Sequence, residues 1–417
     1  MDREKIKNGS KKNTSRGLIP NQIRDFLVSV DPKNTGWNAV LHKIETFITE
    51  LSEAESHSLV IQLLDSSVSH IFNQLSKDLS KIDKIEIRLW AGHCFENLGA
   101  WDKALASFKT ALALCNSGKY SAQQTEALRW IGYIYLIKNN RRKAFKYFQD
   151  SLKLCIATAE QLGEAQAYNA LGNLYFEQGD YRNALESWQK ALEMATRLEG
   201  ETRLAAKIYN NLGVLANVLG KQEEALANYG ESIPRSEKIA NMRGLAEVYH
   251  NMAISYSDLE RWSEAELHFD KSSQIARAIG DIRLQATIKI NRVEIYLDIK
   301  DWSVSEALCN EALKSYKQIE DRLGEAEVYK YLGVVHTNKT DWKTAQSYFR
   351  EGIQLTRRFK DPLTEAELHF EYGRMLTQKN NKKSAKRQYE QAINLFTQLN
   401  TVSQLERAKQ EMAELAI

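Results

Sequence analysis

Proline is scarce, with 4 residues among 417, so the breaks it forces in regular structure are few. Cysteine is as rare. Cys94, Cys115, Cys155 and Cys309 stand apart among apolar residues, with no close pair and no histidine at metal-ligand spacing, so neither a disulfide framework nor a metal site is expected. Thiols of this kind suit a reducing compartment. No apolar run is long enough to serve as a secretory core or a membrane span, and Met1 to Arg16 is basic and polar. A cytoplasmic protein without membrane association is the expectation. Charge of one sign is also missing: 57 Lys and Arg are interspersed with 54 Asp and Glu, for a net +3, which describes a solvated surface. The basic runs Lys138 to Lys146 and Lys379 to Arg387 lie far apart and lack the interleaved aromatics that stack on bases, so no nucleic-acid partner is expected. Finally, there is no glycine-rich phosphate loop, metal motif or nucleophile elbow. These absences argue against an enzyme and against a cofactor.

What the chain has is a repeat. Gly92, Gly132, Gly172, Gly213, Ala253, Val293, Gly333 and Gly373 are each followed twelve positions later by Ala104, Ala144, Ala184, Ala225, Ala265, Ser305, Ala345 and Ala385, and seven later by another small residue. Self-similarity at about forty residues means stacked supersecondary units, each burying its apolar face only against its neighbours. Within one unit, Tyr168, Leu171, Gly172 and Tyr175 share a helix face, Gly179-Asp180-Tyr181 breaks the helix, and Ala184, Leu185, Trp188, Ala191 and Leu192 mark a second, antiparallel helix. The small residues are read as places where two backbones approach closely.

The series Tyr168-Leu171-Gly172-Tyr175-Ala184-Trp188-Ala191 resembles the tetratricopeptide repeat. Tyr209-Leu212-Gly213, Tyr249-Met252-Ala253-Tyr256 and Tyr329-Leu332-Gly333 repeat its opening half, while Ala104-Phe108-Ala111 and Ala345-Phe349-Gly352 repeat its closing half. The resemblance implies an all-α fold, a right-handed α-solenoid of about eight helical hairpins over residues 85–400. The period near forty is similar to the long-repeat branch of that family, whose members bind peptides or proteins. Repeat six departs from the pattern, with Lys289, Arg292 and Val293 in place of aromatic, leucine and glycine, and a looser packing is expected there. In repeat four, Gly230 and Pro234 fall inside the second helix, as a tolerated helix end or as a bend.

The ends lack the signature. Residues 1–17 read as a disordered basic tail. Residues 18–84, with stripes such as Ile23, Phe26, Leu27 and Val30 and a further one reaching Leu51, read as an N-terminal helical cap or as an effector bundle. Leu405, Ala408, Met412 and Leu415 mark a capping helix over residues 401–417.

In the family, the first helix of each hairpin lines the concave groove. The resemblance therefore places Asn169, Asn173, Asn210, Asn211, Asn217, His250, Asn251 and Asn291 on the inner wall. Asparagine is a mediocre helix former, and its amide donates and accepts at once, as the backbone of an extended peptide requires. Asn211, Asn251 and Asn291 stand two residues before Gly213, Ala253 and Val293, forming a column that contacts peptide or else bonds helix ends and water. Trp130 and Tyr133, with Trp90, offer an aromatic contact for a partner unless the N-terminal helices cover the two indoles. The functional expectation is a non-catalytic scaffold or adaptor that binds a protein or peptide partner in this groove. The alternative is a peptide-responsive regulator whose superhelix repositions the N-terminal bundle.

Overall fold

The computed structural model describes residues 64–65, 79–115, 119–198, 202–399 and 401–415. The expected basic tail and nearly all of the N-terminal helical segment, including the stripes from Ile23 to Leu51, lie outside the described residues. Among the described residues there are seventeen complete helices and no strand. They run α1 (Lys81–Asn97), α2 (Trp101–Leu114), α3 (Ser121–Ile137), α4 (Arg141–Thr158), α5 (Gln161–Glu177), α6 (Tyr181–Arg197), α7 (Thr202–Val218), α8 (Gln222–Lys238) and α9 (Met242–Asp258). Then follow α10 (Trp262–Ala278), α11 (Ile282–Asp298), α12 (Trp302–Gln318), α13 (Arg322–Asn338), α14 (Trp342–Phe359), α15 (Pro362–Gln378), α16 (Lys382–Leu399) and α17 (Val402–Glu414).

The local chemistry that sets these boundaries recurs with the repeat. Between the two helices of every pair stands one residue with a left-handed backbone: Gly99, Asn139, Gly179, Gly220, Glu260, Lys300, Thr340 and Asn380, with φ between 53° and 73°. That conformation ends a helix and frees the next residue to start another. The starter is often Asp or Asn, whose side-chain oxygen accepts an N–H of the new first turn. Asn140 does so for Lys143, Asp180 for Asn183, Asp301 for Val304 and Asp341 for Thr344.

The chain forms two compact units, one ending at Leu174 and one beginning at Tyr175, a boundary inside α5. In the first, α1 packs on α2 and α3 on α4; in the second, α7 pairs with α8, and so on to α15 with α16. Within each unit the first helices of successive hairpins also touch one another, which makes them the inner layer. The last helix, α17, buries Ala408 against α16, with Leu405, Met412 and Leu415 beside it in the terminal core.

The small positions have a different cause from the one expected. A Cβ on Gly333 would lie 2.5 Å from a ring carbon of Phe349, and on Gly213 2.3 Å from Tyr229; Gly92, Gly132 and Gly373 meet Phe108, Phe148 and Tyr389 in the same way. An aromatic ring from the second helix, not a backbone, occupies the space. Repeat six supports this by contrast, because Cys309 stands where the other repeats have a ring and the small residue grows to Val293, both 0% exposed in one core cluster. The third small position is a point of hydrogen bonding as well. Ser151, Ser232 and Ser272 donate their buried hydroxyls to Thr125, Ala206 and Ala246 carbonyls of the paired helix at 3.0, 2.8 and 2.7 Å. Pro234 does not end its helix: α8 runs through it to Lys238.

Repeat six is joined by charge rather than left loose. Arg292 pairs with Glu266 and, at 3.0 Å, with Asp270 on α10, and Lys289 reaches Glu311 at 2.9 Å. One Glu266 oxygen and Arg292 Nε remain buried without a hydrogen-bond partner, so the joint between the fifth and sixth hairpins is polar and incompletely satisfied.

Candidate functional site

The inner-layer residues are best read by their place relative to the small position of each repeat. Three residues before it stand Arg129, Asn169, Asn210, His250 and Lys330; two before it stand Trp130, Asn211, Asn251, Asn291 and Tyr331. The residues three before it reach toward the following first helix, and those two before it toward the preceding one.

In the second unit the structure ties these two columns together diagonally. Asn251 donates its amide to Asn210 Oδ1 at 2.9 Å, and Asn291 lies 2.9 Å from His250 Nε2. Asn251 and Asn291 are therefore linked to the residues three before the small position in the preceding repeat. Further along the wall, Ser255 donates to Asn217 Oδ1 at 2.7 Å while Asn217 donates to Asp258 at 3.0 Å. Lys330 then reaches Glu367 at 2.6 Å, and Tyr331 donates its hydroxyl to Glu294 at 2.7 Å.

Burial sorts these residues. Asn169 is 4% and His250 7% exposed, so both are covered, whereas Asn173, Asn210, Asn211, Asn217, Asn251 and Asn291 keep part of their surface. Burial drives the His250 imidazole down to about 4, so it is neutral and accepts from Asn291. An amide has four hydrogen-bonding places, and Asn251 uses one toward Asn210; its oxygen and second N–H remain able to meet a peptide group.

The first unit has an aromatic wall. Trp130 stands 4.6 Å from the His93 ring, 5.8 Å from Phe108 and 5.4 Å from Tyr133, and Asn173 donates to the Tyr133 hydroxyl at 2.8 Å. Trp130 and Tyr133 are partly exposed.

Sequence reasoning missed the charged end of the second unit. A cleft of about 690 Å³ is lined there by Glu294, Lys330, Tyr331, Glu367, Phe370 and Arg407, among others. Burial opposes the Lys330 charge, but Glu367, Glu327 and Glu294 together outweigh it and the ammonium is held above its usual range; burial raises the carboxyls of Glu327 and Glu371. The available signal was Lys330 in the column that carries Asn210 and His250. Among the described residues no helix is long and apolar enough to cross a membrane.

Three family models, each described as tetratricopeptide repeat, match residues 163–238, 245–279 and 366–398. No curated protein matches the sequence as a relative. Among solved structures, the chain is similar to the apo form of the quorum sensor NprR from B. thuringiensis, at 18% identity and TM-score 0.56 over 82% of this chain and 93% of that one. It is similar to aspartyl phosphate phosphatase F from Bacillus subtilis, at 10% identity and TM-score 0.55 over 96% and 97%. It is also similar to a Rap protein complexed with competence and sporulation factor, at 12% identity and TM-score 0.55 over 80% and 98%. At such identities the likeness speaks for the fold, an all-α helical-repeat solenoid. With the recurring ring-on-glycine hairpins and the three matched segments, the chain belongs to the tetratricopeptide-repeat proteins.

Proposed function

We propose that this protein is a non-catalytic scaffold that holds an extended peptide, or an extended segment of a partner protein, along the inner layer of first helices. The observation that carries the reading is the set of part-exposed amides from the two columns, Asn210, Asn251 and Asn291, fixed in place by bonds between neighbouring helices. Side chains positioned in advance lose little freedom on binding, and their remaining donors and acceptors match a peptide backbone. The neighbours add support: one is a quorum sensor and another is a Rap protein complexed with competence and sporulation factor. The thiols fit a non-catalytic role in a reducing cytoplasm, because burial pushes Cys155 to about 11 and Cys309 to about 12 and keeps both protonated.

The test is to pan the full chain against a displayed library of short random peptides, in parallel with N210A/N251A/N291A. Wild type enriches a defined set, and the triple variant binds that set at least about tenfold more weakly, since each lost partner of a buried peptide group costs roughly 1–3 kcal/mol. Equal enrichment and equal affinity for the triple variant refute the site.

A second reading, a peptide-responsive regulator, is favoured by the joint at Arg292, Glu266 and Asp270, where ion pairs with unsatisfied buried atoms stand beside the apolar cluster of Phe269, Ala276, Ile288 and Ile295. A regulator changes its dimensions in solution scattering when an enriched peptide is added. A static adaptor does not.

A further inference from the structure

The outer layer of the first unit carries a patch that the inner wall does not use. Lys109 on α2 and Arg141, Arg142, Lys143 and Lys146 on α4 are exposed, and among the described residues none of the five pairs with a carboxylate. Nearby acids do not balance them. Asp102 is held by Lys138 at 2.9 Å, and Asp150, one turn after Lys146, pairs with none of the five. Five uncompensated cations in one place exceed the net charge of the whole chain, +3.

Helix stability does not explain the placement. Arg141, Arg142 and Lys143 fill the first turn of α4, where no acidic residue stands and where the helix dipole disfavours positive charge. The repeat does not require it either: the residue eleven after the small position is Lys143 in the second hairpin but Glu264 in the fifth, and the residue seventeen after it is Lys109 in the first but Asp270 in the fifth. In the fifth hairpin a cation also lies over a tyrosine, Arg261 over Tyr256 at 4.7 Å, yet there Glu264 neutralises it at 2.8 Å.

Packing gives the patch a fixed centre. Tyr135 on α3 stacks on Tyr147 of α4 with centroids 5.6 Å apart, Lys109 and Lys143 stand over the Tyr135 ring at 5.5 and 5.1 Å, and Lys109 donates to its hydroxyl at 3.1 Å. The Tyr135 oxygen accepts in that bond, so its O–H is left to donate. Ammonium, guanidinium and phenol thus all present donors, and their complement is a run of anionic oxygen acceptors. Because Tyr147 and two ammonium groups already occupy the Tyr135 ring, the patch suits carboxylates rather than stacked bases.

We propose that this outer face of the first two hairpins docks an acidic segment of a partner protein, a stretch rich in Asp and Glu. Arg141 and Arg142 grip carboxylates with their planar forks, the lysines act as point charges, and the summed field speeds the encounter. The surface is separate from the inner wall, so the proposal goes beyond the peptide-binding reading and stands without it.

The experiment measures fluorescence anisotropy on the full chain with a labelled peptide rich in Asp and Glu and with its counterpart carrying Asn and Gln. An oligouridylate of matching charge and vesicles of phosphatidylcholine with phosphatidylserine test the other polyanions. The variants are K109Q/R141Q/R142Q/K143Q/K146Q, R141Q/R142Q, which leaves the tyrosine contacts intact, and K379Q/K382Q/K383Q/K386Q/R387Q, which removes as many charges from the exposed run at the eighth hairpin. Wild type should bind the acidic peptide alone of the two, less tightly at raised salt. Affinity should fall at least about tenfold in the five-site variant, about threefold in R141Q/R142Q and less than about twofold in the eighth-hairpin control. N210A/N251A/N291A should bind the acidic peptide as wild type does, which separates this surface from the inner wall. No preference of wild type for the acidic peptide, or an equal loss in the eighth-hairpin control, overturns the proposal. Tighter binding of the oligouridylate or of the vesicles, lost in the same five-site variant, also overturns it and gives the patch to nucleic acid or to membrane.

Discussion

Gly333→Ala puts a methyl carbon 2.5 Å from Phe349 Cε1 and 2.6 Å from Cζ. The ring cannot retreat easily, because Phe349 is 0% exposed and stacks on Tyr372 with centroids 5.5 Å apart. Two effects oppose each other. Alanine is favoured over glycine in a helix interior by about 1 kcal/mol, whereas overpacking a close-packed core costs about 1–3 kcal/mol. A contact well inside van der Waals distance sits at the upper end of that range, so a net loss of about 1–2 kcal/mol is expected. Gly230→Ala is the control: that glycine is exposed on α8 and a Cβ there meets nothing within 4 Å. It should stabilise by up to about 1 kcal/mol through propensity alone. Urea unfolding followed by far-ultraviolet circular dichroism reads both, with the midpoint moving down for Gly333→Ala and up for Gly230→Ala. The double variant G333A/F349L removes the obstructing ring edge and should recover part of the loss, a coupling of about 1 kcal/mol. If both glycine variants shift the midpoint the same way, or if the double variant is simply additive, the ring-on-glycine account is wrong.

Thr340 is β-branched and holds φ at 58°, so Thr340→Gly should raise the unfolding midpoint, by about 1 kcal/mol in stability. Glu367→Gln leaves Lys330 without its counter-charge and should destabilise by about 1–3 kcal/mol, while Lys330→Met/Glu367→Leu recovers most of that loss in the same measurement. His250 has a folded value of about 4 against 6.5 for the free side chain, so the unfolded chain takes up the proton first as pH falls. Its contribution to stability is intact above about pH 6.5 and declines toward pH 4, by about 3 kcal/mol in all. His250→Asn should flatten that limb of the midpoint-against-pH curve, and an unchanged slope would mean that the imidazole is not held neutral.

The repeat was legible because helix packing imposes one small residue, one alanine and one further small residue at fixed offsets, and eight copies leave no other register. The reason for the glycines was in the sequence too, in the aromatic sixteen residues on, and Val293 with Cys309 shows the exchange of sizes. It was missed because spacing along a chain does not say which atoms fill the space. The amide columns were legible as positions, but their partners were not. Whether Asn251 meets Asn210 or Asn211 depends on the rotation between successive hairpins, and the periodicity of one helix carries no information about that angle.

The bonds that join neighbouring hairpins connect residues about forty positions apart, as in Asn217 with Asp258 or His250 with Asn291, separations of 41. Those inside a hairpin are shorter still, as in Ser232 with Ala206 at 26. Contacts so local are reached early by a growing chain. A hairpin emerging from the ribosome already contains its glycine and the ring that seats on it, so the second unit is suited to being built in order of synthesis, each completed pair serving as the template for the next.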